Sequence, residues 1–182
     1  PRSRGLGDVY KRQVLVNVDN LLFWVDTQHS IRVAKKVAER ITGINTSNLD
    51  LIYTIETNAS IVEGPSAGAA ITIATIAALE NKTLKRNITI TGIINLDGTI
   101  GPVGGVFEKG EAAKENGFST FLVPLGQGTY VKYIPEVTCE KYGMVEFCTT
   151  EYKPKKIDLS KELNISVVEV SNIEEALKYF IE

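Results

Sequence analysis

The chain has 182 residues, of which 43% are hydrophobic, and a formal charge of −2 from 20 basic and 22 acidic side chains. This length and apolar content suffice for one well-packed domain and exclude disordered and collagen-like classes. The near-neutral balance without a basic block gives no electrostatic footprint for nucleic acid or anionic lipid, so we predict neither as a partner.

The first 13 residues, PRSRGLGDVYKRQ, differ in character from the rest of the chain. They begin without Met, show no hydrophobic periodicity and join abruptly to the strand-like VLVNV segment. We interpret residues 1–13 as a non-native, adapter-derived segment, so that the domain covers residues 14–182 and the natural start is missing. A lost leader or upstream domain is compatible with this interpretation.

Strands and helices alternate in the first half of the pattern. VLVNVDNLLFWV predicts extended chain, and the helical spacing of apolar residues in DTQHSIRVAKKVAERITG predicts a helix that Gly43 closes. LDLIYTIET predicts a strand and NASIVEGP a loop, followed by an alanine-rich helix from Ser66 to Leu79. This last segment contains Thr72 and Thr75 and is far shorter than the roughly 20 residues of a membrane span, so we predict a buried core helix.

The next segments carry clear turn and helix signals. NITITGIINLDGTIG alternates apolar and polar residues around Asp97-Gly98, which predicts a hairpin. A helix follows from about Val106 to Asn116 with Gly117 as its stop, and STFLVP predicts another strand.

The pattern from Leu125 to Leu163 is less regular, and we interpret about 125–163 as an insertion. After it, ISVVEV predicts a strand, Ser171 a cap, and the last residues an amphipathic helix. The whole pattern predicts a single α/β (α+β) domain with mixed sheets and packed helices, interrupted before its last strand and helix.

The two cysteines lie within this insertion. If VTCEKYGMVEFCT folds as a hairpin turning at Gly143-Met144, Cys139 and Cys148 face each other, and a disulfide would favour an oxidising compartment. A turn at Tyr142-Gly143 would put the two thiols out of register. The sequence leaves both arrangements open.

The stretch EGPSAGAA sets Ser66 between two glycines at the start of a predicted helix. A serine in this position either caps the helix through its hydroxyl or, in a G-x-S-x-G turn, is exposed as a nucleophile.

Elimination narrows the choice of a base for Ser66. His29 is the only histidine and precedes Ser66, whereas a serine hydrolase of the elbow type places its histidine after the serine. The same shortage, with two widely spaced cysteines, predicts no zinc site, and the sequence contains no G-x-x-x-x-G-K-[ST] motif. We therefore expect no metal and no cofactor, and a lysine or a carboxylate as the base.

Lys109 is the best placed lysine. It lies between a Gly-Gly pair and an Ala-Ala pair at the start of a predicted helix, an apolar setting in which burial would lower its pKa. The alternative is an ordinary solvated lysine on a surface helix, which the neighbouring Glu108 and Glu111 would equally suit.

Two spaced motifs resemble the proteolytic domain of the Lon proteases. EGPSAG resembles the nucleophile segment of that family, and ITGIINLDGTIGPVGGVFEK resembles its second block, which ends in the catalytic lysine. The interval of 43 residues between Ser66 and Lys109 matches the family's spacing. The resemblance covers roughly residues 26–124 and 164–182.

The resemblance implies a role for each matching residue. Ser66 would be the acyl-accepting nucleophile, Lys109 its general base, and Thr91 the hydroxyl that hydrogen-bonds and orients the lysine. Glu63 matches an acidic residue beside the serine, with a gating role in which it pairs with the lysine in inactive states. The backbone expected around the oxyanion comprises Gly64, Pro65 and Ala67.

The resemblance further implies a serine endopeptidase with a Ser-Lys dyad that acts on peptides or unfolded proteins. No ATPase module lies within this sequence, and the insertion resembles archaeal Lon-like proteins that lack one. This favours a membrane-associated or extracytoplasmic location over a cytoplasmic one, with any membrane tether outside this chain. It also implies a homo-oligomer, hexameric in the family, that is weaker without the ATPase module.

Two alternatives stand beside this reading. A glycine-rich turn at a helix N-terminus also suits an anion, as in a phosphate-binding module of related fold, although the further Gly-Ser repeats, magnesium-binding acid and basic cradle of such kinases cannot be located. The other is a non-catalytic scaffold, or a fragment that is inactive because its native first strand is missing.

Overall fold

The computed structural model describes residues 14–18, 22–23, 25–55, 61–62 and 64–181. The predictions made for residues 1–13 and for Glu63 lie outside these ranges.

Helices and strands alternate along much of the described chain. The helices are α1 (Val25–Thr42), α2 (Gly68–Leu79), α3 (Val106–Glu115), α4 (Leu159–Leu163) and α5 (Ile173–Phe180). The strands are β1 (Val14–Val18), β2 (Leu22–Phe23), β3 (Leu51–Ile55), β4 (Ile61–Val62), β5 (Ile88–Ile90), β6 (Ile93–Ile94), β7 (Ile100–Gly101), β8 (Thr120–Pro124), β9 (Thr129–Tyr142), β10 (Val145–Asp158) and β11 (Ser166–Val170).

Parallel and antiparallel pairing coexist, as the predicted α/β (α+β) class requires. Strands β11, β8 and β5 form a parallel sheet in that order, and β1 with β3 and β2 with β4 form parallel pairs. The hairpins β6–β7 and β9–β10 are antiparallel. The predicted fold class is confirmed.

The main core forms where α1 and α2 pack against each other and against the parallel sheet. Both helices bury small and branched apolar residues, among them Val37, Ala38, Ala69 and Ile73. Gly43 closes α1 as predicted, with a φ of +69° and an N–H that donates to the carbonyl of Glu39 over 2.9 Å.

Helix α2 is apolar along its whole length and buries seven of its 12 residues. Its threonines are paired internally: Thr72 Oγ1 donates to the carbonyl of Gly68 over 2.8 Å, and Thr75 Oγ1 to that of Ile71 over 2.7 Å. These hydroxyls therefore remain hydrogen-bonded within the core. Among the helices described, none has the length and apolarity needed to cross a bilayer.

The predicted hairpin turns at Asp97-Gly98. Gly98 has a φ of +84°, a conformation that glycine adopts without strain, and the Asn95 N–H donates to the Thr99 carbonyl over 3.1 Å. Arg40 of α1 holds the turn by donating from Nη1 to the Leu96 carbonyl over 2.7 Å. The hairpin therefore sits against the helices of the main core.

A smaller core fixes α3. Ala113 of α3 packs with Phe121 and Val123 of β8, and Gly110 of α3 lies so close to Leu163 of α4 that a side chain there would collide with it. The absence of a side chain at Gly110 thus lets α3 and α4 approach closely.

Two local predictions were wrong. Part of the predicted NASIVEGP loop forms β4, which pairs with β2. Ser171 does not cap α5: the cap is Asn172, whose side chain accepts from the Glu175 N–H over 2.8 Å, while the Ser171 N–H and hydroxyl donate to the Glu175 carboxylate. Adjacent polar residues can each cap a helix, and here Asn172 takes that position because α5 begins at Ile173.

Residues 125–163, which have a less regular pattern and which we interpret as an insertion, contain more regular structure than that pattern indicates. Strands β9 and β10 form a continuous ribbon of 14 paired residues on each strand, followed by α4. The alternation was not recognised because nearly every residue of the ribbon is exposed, so the apolar and polar positions do not report a buried side.

The ribbon turns at Gly143-Met144, the first of the two turns considered from the sequence. Tyr142 pairs with Val145, which places Cys139 opposite Cys148, and a disulfide joins them. The thiol pairing that the sequence left open is thereby resolved in favour of the disulfide.

Candidate active site

Ser66 lies in the turn that leads into α2 and not on the helix itself. The helix begins at Gly68, with Ala67 in the N-cap position, one residue later than a cap at Ser66 would require. The capping alternative for Ser66 is therefore wrong. Gly64 precedes the serine with a φ of +85°, where a glycine avoids strain, and Ser66 is half-buried.

The backbone of this turn is fixed from both sides. The Ser66 carbonyl accepts the N–H of Gly92 over 2.9 Å and the hydroxyl of Thr91 over 3.3 Å. From the other side, Thr27 of α1 donates its hydroxyl to the Gly64 carbonyl over 3.3 Å. The nucleophile candidate is thus held by the chain after β5 and by α1, as a preorganised site requires.

Lys109 lies in the first turn of α3. Gly105 at the N-cap has a φ of +63° and its carbonyl accepts the Lys109 N–H over 3.0 Å. The ammonium folds back over the helix start and donates from Nζ to the Gly104 carbonyl over 2.8 Å. The two glycines before the helix therefore set both the backbone and the head group of Lys109.

The loop that enters α3 has a further support that the sequence did not indicate. Gln127 accepts the Val103 N–H at Oε1 over 2.9 Å and donates from Nε2 to the Val103 carbonyl over 2.7 Å. A side-chain amide can pair with both groups of one backbone residue in this way. Gln127 therefore fixes the backbone next to Gly104, whose carbonyl accepts a hydrogen bond from the Lys109 ammonium.

Burial perturbs the acid-base behaviour of Lys109. Loss of hydration lowers the pKa of the ammonium below the ordinary lysine value, and the nearby carboxylate of Glu108 opposes this by raising it. The net shift is downward, so the neutral amine forms at lower pH than on an exposed lysine. This is the direction that a general base requires.

Ser66, Thr91 and Lys109 line one cavity of about 340 Å³. It lies between the start of α2, strand β5 and one side of α3. The remaining lining residues are mostly apolar: Ala67, Ala70, Thr89, Ile90, Ala112, Ala113, Asn116, Phe118 and Phe121. The arrangement combines a hydroxyl, a partly dehydrated amine and space for an apolar group.

Several of these lining residues could have been found from the sequence. Ala112, Ala113 and Asn116 follow Lys109 at three, four and seven positions along α3, which places them on one helix face with it. Phe118 and Phe121 carried no such signal, because their approach depends on how the parallel sheet orders β8 beside β5.

The remaining predicted site residues stand as follows. Gly64, Pro65 and Ala67 surround Ser66 in the turn, although Pro65 has no N–H to offer an oxyanion. Thr91 lies in the cavity, but its hydroxyl donates to the backbone carbonyl of Ser66. Its predicted hydrogen bond to Lys109 therefore stays a prediction. Glu63 lies outside the described residues.

A second, larger cavity of about 430 Å³ lies between β3 and α2 and shares Ala70 with the first. Its polar groups include the hydroxyls of Tyr53 and Thr75, which are 2.9 Å apart and bonded to each other. The described residues that line it include no lysine, histidine or carboxylate. The smaller cavity is therefore the candidate active site.

The first helix donors of α2 are already engaged. The Gly68 N–H donates to the Pro65 carbonyl and the Ala69 N–H to the Gly92 carbonyl, both over 3.0 Å. An anion at the helix start would have to compete with these bonds. In the described part of the chain, no three His, Cys, Asp or Glu side chains cluster as metal ligands would.

The chain matches a known protein family. The family described as the Lon protease (S16) C-terminal proteolytic domain matches residues 30–152. The match includes Ser66, Thr91 and Lys109 and extends through much of the β9–β10 ribbon.

Individual relatives agree with this match. The chain is 37% identical to a Lon protease of Elusimicrobium minutum over 103 residues, which cover 57% of this chain and 12% of that protein. It is 33% identical to the archaeal Lon protease of Methanocaldococcus jannaschii over 107 residues, covering 53% of this chain and 16% of the relative. A Lon protease of Fervidobacterium nodosum is 33% identical over 126 residues, covering 65% and 15%. The matched region thus spans only about one seventh of the relatives' length.

Proposed function

We propose that this chain, which belongs to the Lon protease (S16) family through its proteolytic domain, is a serine endopeptidase whose nucleophile is Ser66 and whose general base is Lys109. The observation that carries the proposal is that both residues line one cavity while burial lowers the pKa of the lysine. A serine hydroxyl is a weak nucleophile unless a nearby base removes its proton, and an amine of lowered pKa can do so near neutral pH.

The reaction would proceed in two stages. Neutral Lys109 takes the proton of Ser66 Oγ as the oxygen attacks the peptide carbonyl, and the resulting ammonium then gives that proton to the departing amine. Water, deprotonated by the same lysine, attacks the acyl-enzyme, and the proton returns to Ser66 as the ester bond breaks.

The oxyanion of each tetrahedral intermediate needs backbone donors. Because the Gly68 and Ala69 N–H groups already donate to carbonyls, we assign this role to N–H groups of the preceding turn, at Gly64, Ser66 or Ala67. These donors lie close to the positive end of α2, which favours negative charge there. Pro65 shapes the turn without donating.

The ammonium must leave the Gly104 carbonyl to reach the serine. In the present geometry Nζ donates to that carbonyl, and a rotation of the flexible lysine side chain would redirect it toward Ser66 within the same cavity. Thr91 would then bond to the lysine, as the family resemblance implies. We take the structure to represent the resting arrangement of the dyad.

The substrates we propose are peptides and unfolded polypeptides. The cavity is lined mostly by alanine, isoleucine and phenylalanine side chains, which suits an apolar side chain next to the cleaved bond. The proteolytic step itself would need no nucleotide, since its parts are a hydroxyl, an amine and backbone donors.

The experiment that tests the dyad is covalent labelling. A serine-directed phosphonylating reagent should modify the peptide that contains Ser66, as located by mass spectrometry. Labelling should be lost in Ser66→Ala and reduced by about a hundredfold or more in Lys109→Ala, because general-base catalysis contributes roughly that much.

The matched control is Lys114→Ala. Lys114 is exposed in the last turn of the same helix, so its removal should leave labelling unchanged while removing the same charge. Folding of each variant is checked by circular dichroism. Labelling of Ser66 at the wild-type rate in a folded Lys109→Ala chain would contradict the proposal.

A further inference from the structure

The loop between β7 and α3, residues 102–105, holds Lys109 at two points. The Gly105 carbonyl accepts the Lys109 N–H over 3.0 Å, and the Gly104 carbonyl accepts its ammonium over 2.8 Å. Both residues are glycines, which lose more conformational freedom on folding than any other residue. A shift of this loop would therefore move both the backbone and the head group of the lysine.

A side chain from another part of the fold holds this loop in place. Gln127 lies in the connection between β8 and β9, 24 positions after Val103, and pairs with both polar groups of that residue. Its Oε1 accepts the Val103 N–H over 2.9 Å and its Nε2 donates to the Val103 carbonyl over 2.7 Å. Two bonds to one residue fix the orientation of its backbone as well as its position, and this backbone leads directly into Gly104.

Gln127 can support the loop because its own backbone is fixed on both sides. Its N–H donates to the Pro124 carbonyl at the end of β8 over 3.0 Å. The next residue, Gly128, donates its N–H to the Glu169 carboxylate of β11 over 2.7 Å and accepts the Leu159 N–H of α4 over 3.0 Å. The loop before α3 is thus braced against three elements through one side chain, as a preorganised site requires.

The same connection contacts α3 at a second point. Tyr130, three residues after Gln127, packs on Phe107 with ring centroids 5.0 Å apart. Phe107 lies two residues before Lys109 in the first turn of α3. Residues 127–130 therefore contact both the loop before α3 and the turn that carries the lysine.

We propose that Gln127 is a positioning residue of the Ser66–Lys109 dyad, and that its two hydrogen bonds to Val103 hold the loop from which Lys109 reaches Ser66. This inference rests on the dyad proposed above. Neither Gln127 nor Val103 lines the cavity, so Gln127 acts on the reaction through the lysine and not through the substrate. A displacement of about 1 Å at a reacting group can cost about a hundredfold in rate.

Gln127→Met tests the role of the two hydrogen bonds. Methionine has a similar length and no group that could pair with both the N–H and the carbonyl of Val103. Modification of Ser66 by the serine-directed phosphonylating reagent should slow by about tenfold or more. In peptide cleavage kcat should fall with little change in KM, because Gln127 does not line the cavity.

A double-mutant cycle with Lys109→Ala separates positioning from a general weakening of the fold. Because Gln127 acts through Lys109, Gln127→Met should slow the labelling of Ser66 when the lysine is present and have no further effect when it is absent. Slowing by the same factor in both backgrounds would indicate a purely structural role and would overturn the inference.

The cycle also distinguishes this inference from the proposed function. Labelling at the wild-type rate in folded Lys109→Ala would refute the dyad itself. The expected loss in Lys109→Ala together with unchanged labelling in Gln127→Met would overturn the role of Gln127 and leave the dyad standing.

The matched control is Asn45→Ala, which removes another side-chain amide that pairs with the backbone. Asn45 Oδ1 accepts the Ser47 N–H over 2.8 Å between α1 and β3, so labelling of Ser66 should keep the wild-type rate. An equal loss in Asn45→Ala would reduce the effect to stability and overturn the inference.

A second variant serves if circular dichroism shows that Gln127→Met does not fold. Gln127→Asn keeps the amide on a chain one carbon shorter, which cannot keep both bonds to Val103. It should slow the labelling of Ser66 when Lys109 is present and leave it unchanged in Lys109→Ala. Wild-type labelling in folded Gln127→Asn, with both bonds lost, would contradict the role of Gln127.

Discussion

The ammonium group of Lys109 is subject to two opposed influences. Burial in the cavity lowers its pKa, whereas the carboxylate of Glu108, one residue earlier and exposed, raises it. A lysine whose folded-state pKa is below its unfolded value binds fewer protons in the folded chain, so this group disfavours folding most at low pH. The lowered pKa of Lys109 therefore reduces the free energy of unfolding at low pH, as perturbed groups at functional sites often do.

Removing the charge of Glu108 should shift the pH dependence of activity. In Glu108→Gln the pKa of Lys109 loses the influence that raises it, so the rising limb of activity against pH should move to lower pH. The measurement is kcat/KM for a peptide substrate over a pH series, which reports the free enzyme.

The control for this shift is Glu111→Gln, which removes a carboxylate from the same helix without a resolved influence on Lys109. The rising limb of kcat/KM against pH in Glu111→Gln should coincide with that of the wild type. A limb that moves to higher pH in Glu108→Gln, or that moves equally in both variants, would refute the electrostatic account.

At the scale of residues, the sequence indicated which side chains form the candidate site, but not which hydrogen bonds they make. Elimination left a lysine or a carboxylate as the base, and the two spaced motifs that resemble the Lon proteolytic domain singled out Ser66 and Lys109; both line one cavity. The donation of Lys109 to the Gly104 carbonyl could not be foreseen, since a lysine rotamer depends on carbonyls that only the folded loop positions. The role of Gln127 could not be predicted either, because its amide pairs with a residue 24 positions away and no sequence motif marks that pairing.

At the scale of elements, the position of Ser66 depends on how closely α2 approaches β6. Gly68, the first residue of α2, faces Ile94, and a Cβ there would lie 2.6 Å from Ile94 Cγ2 and 3.0 Å from the Ile94 backbone nitrogen. The Ile94 nitrogen belongs to the backbone, so a change of side-chain rotamer cannot move it aside. The glycine is therefore required by a close approach of backbone, two residues after the nucleophile.

Gly68→Ala should displace the start of α2 and with it Ser66. We expect a loss of about 1–3 kcal/mol in the free energy of unfolding, as for overpacked sites, and a fall in activity beyond what the stability loss explains. Chemical denaturation and peptide cleavage measure the two effects.

Gly104→Ala provides the comparison. A Cβ at Gly104 meets nothing within 4 Å, so its stability should change by less than about 0.5 kcal/mol, as at an ordinary surface position. Gly68→Ala with wild-type stability and activity would show that α2 is not held in this way.

Helices and strands were predicted correctly where one side of the element is buried, because burial produces a regular spacing of apolar residues in the sequence. The apolar spacing of α1 and the Asp97-Gly98 turn both led to the observed elements. Element ends were less certain, as at α5, where Ser171 and Asn172 could each cap and the structure selects Asn172. Only the part of the ribbon around the two cysteines was considered as a hairpin from the sequence. Neither face of the ribbon is buried, so its sequence lacks the contrast between apolar and polar positions from which strands are recognised.

On the scale of the whole molecule, the ribbon and the globular core form distinct parts. Neither hydrophobic core includes a residue of the ribbon, and nearly all ribbon side chains are exposed. Its links to the core are concentrated at its base, where Tyr130 meets Phe107. The stability of the domain should therefore depend little on the outer ribbon.

Shortening the ribbon tests this independence. Replacing residues 135–152 by Asn-Gly would join Ile134 to Lys153, which pair across the ladder, by a turn of the favoured two-residue type. We expect a folded chain with a cooperative thermal transition and a change below about 1 kcal/mol in unfolding free energy. Loss of the cooperative transition would show that the ribbon is part of the folding unit.

The measurement that tests the central claim most directly is cleavage of an unfolded protein such as casein, without ATP, by the wild-type chain and by Lys109→Ala. The series runs from about pH 6 to about pH 10, which covers the ordinary lysine pKa and values well below it. The account predicts wild-type activity that rises along a basic limb below the ordinary lysine pKa and that is absent from the folded variant. Cleavage by folded Lys109→Ala with the same pH dependence as the wild type would contradict a Ser66–Lys109 dyad.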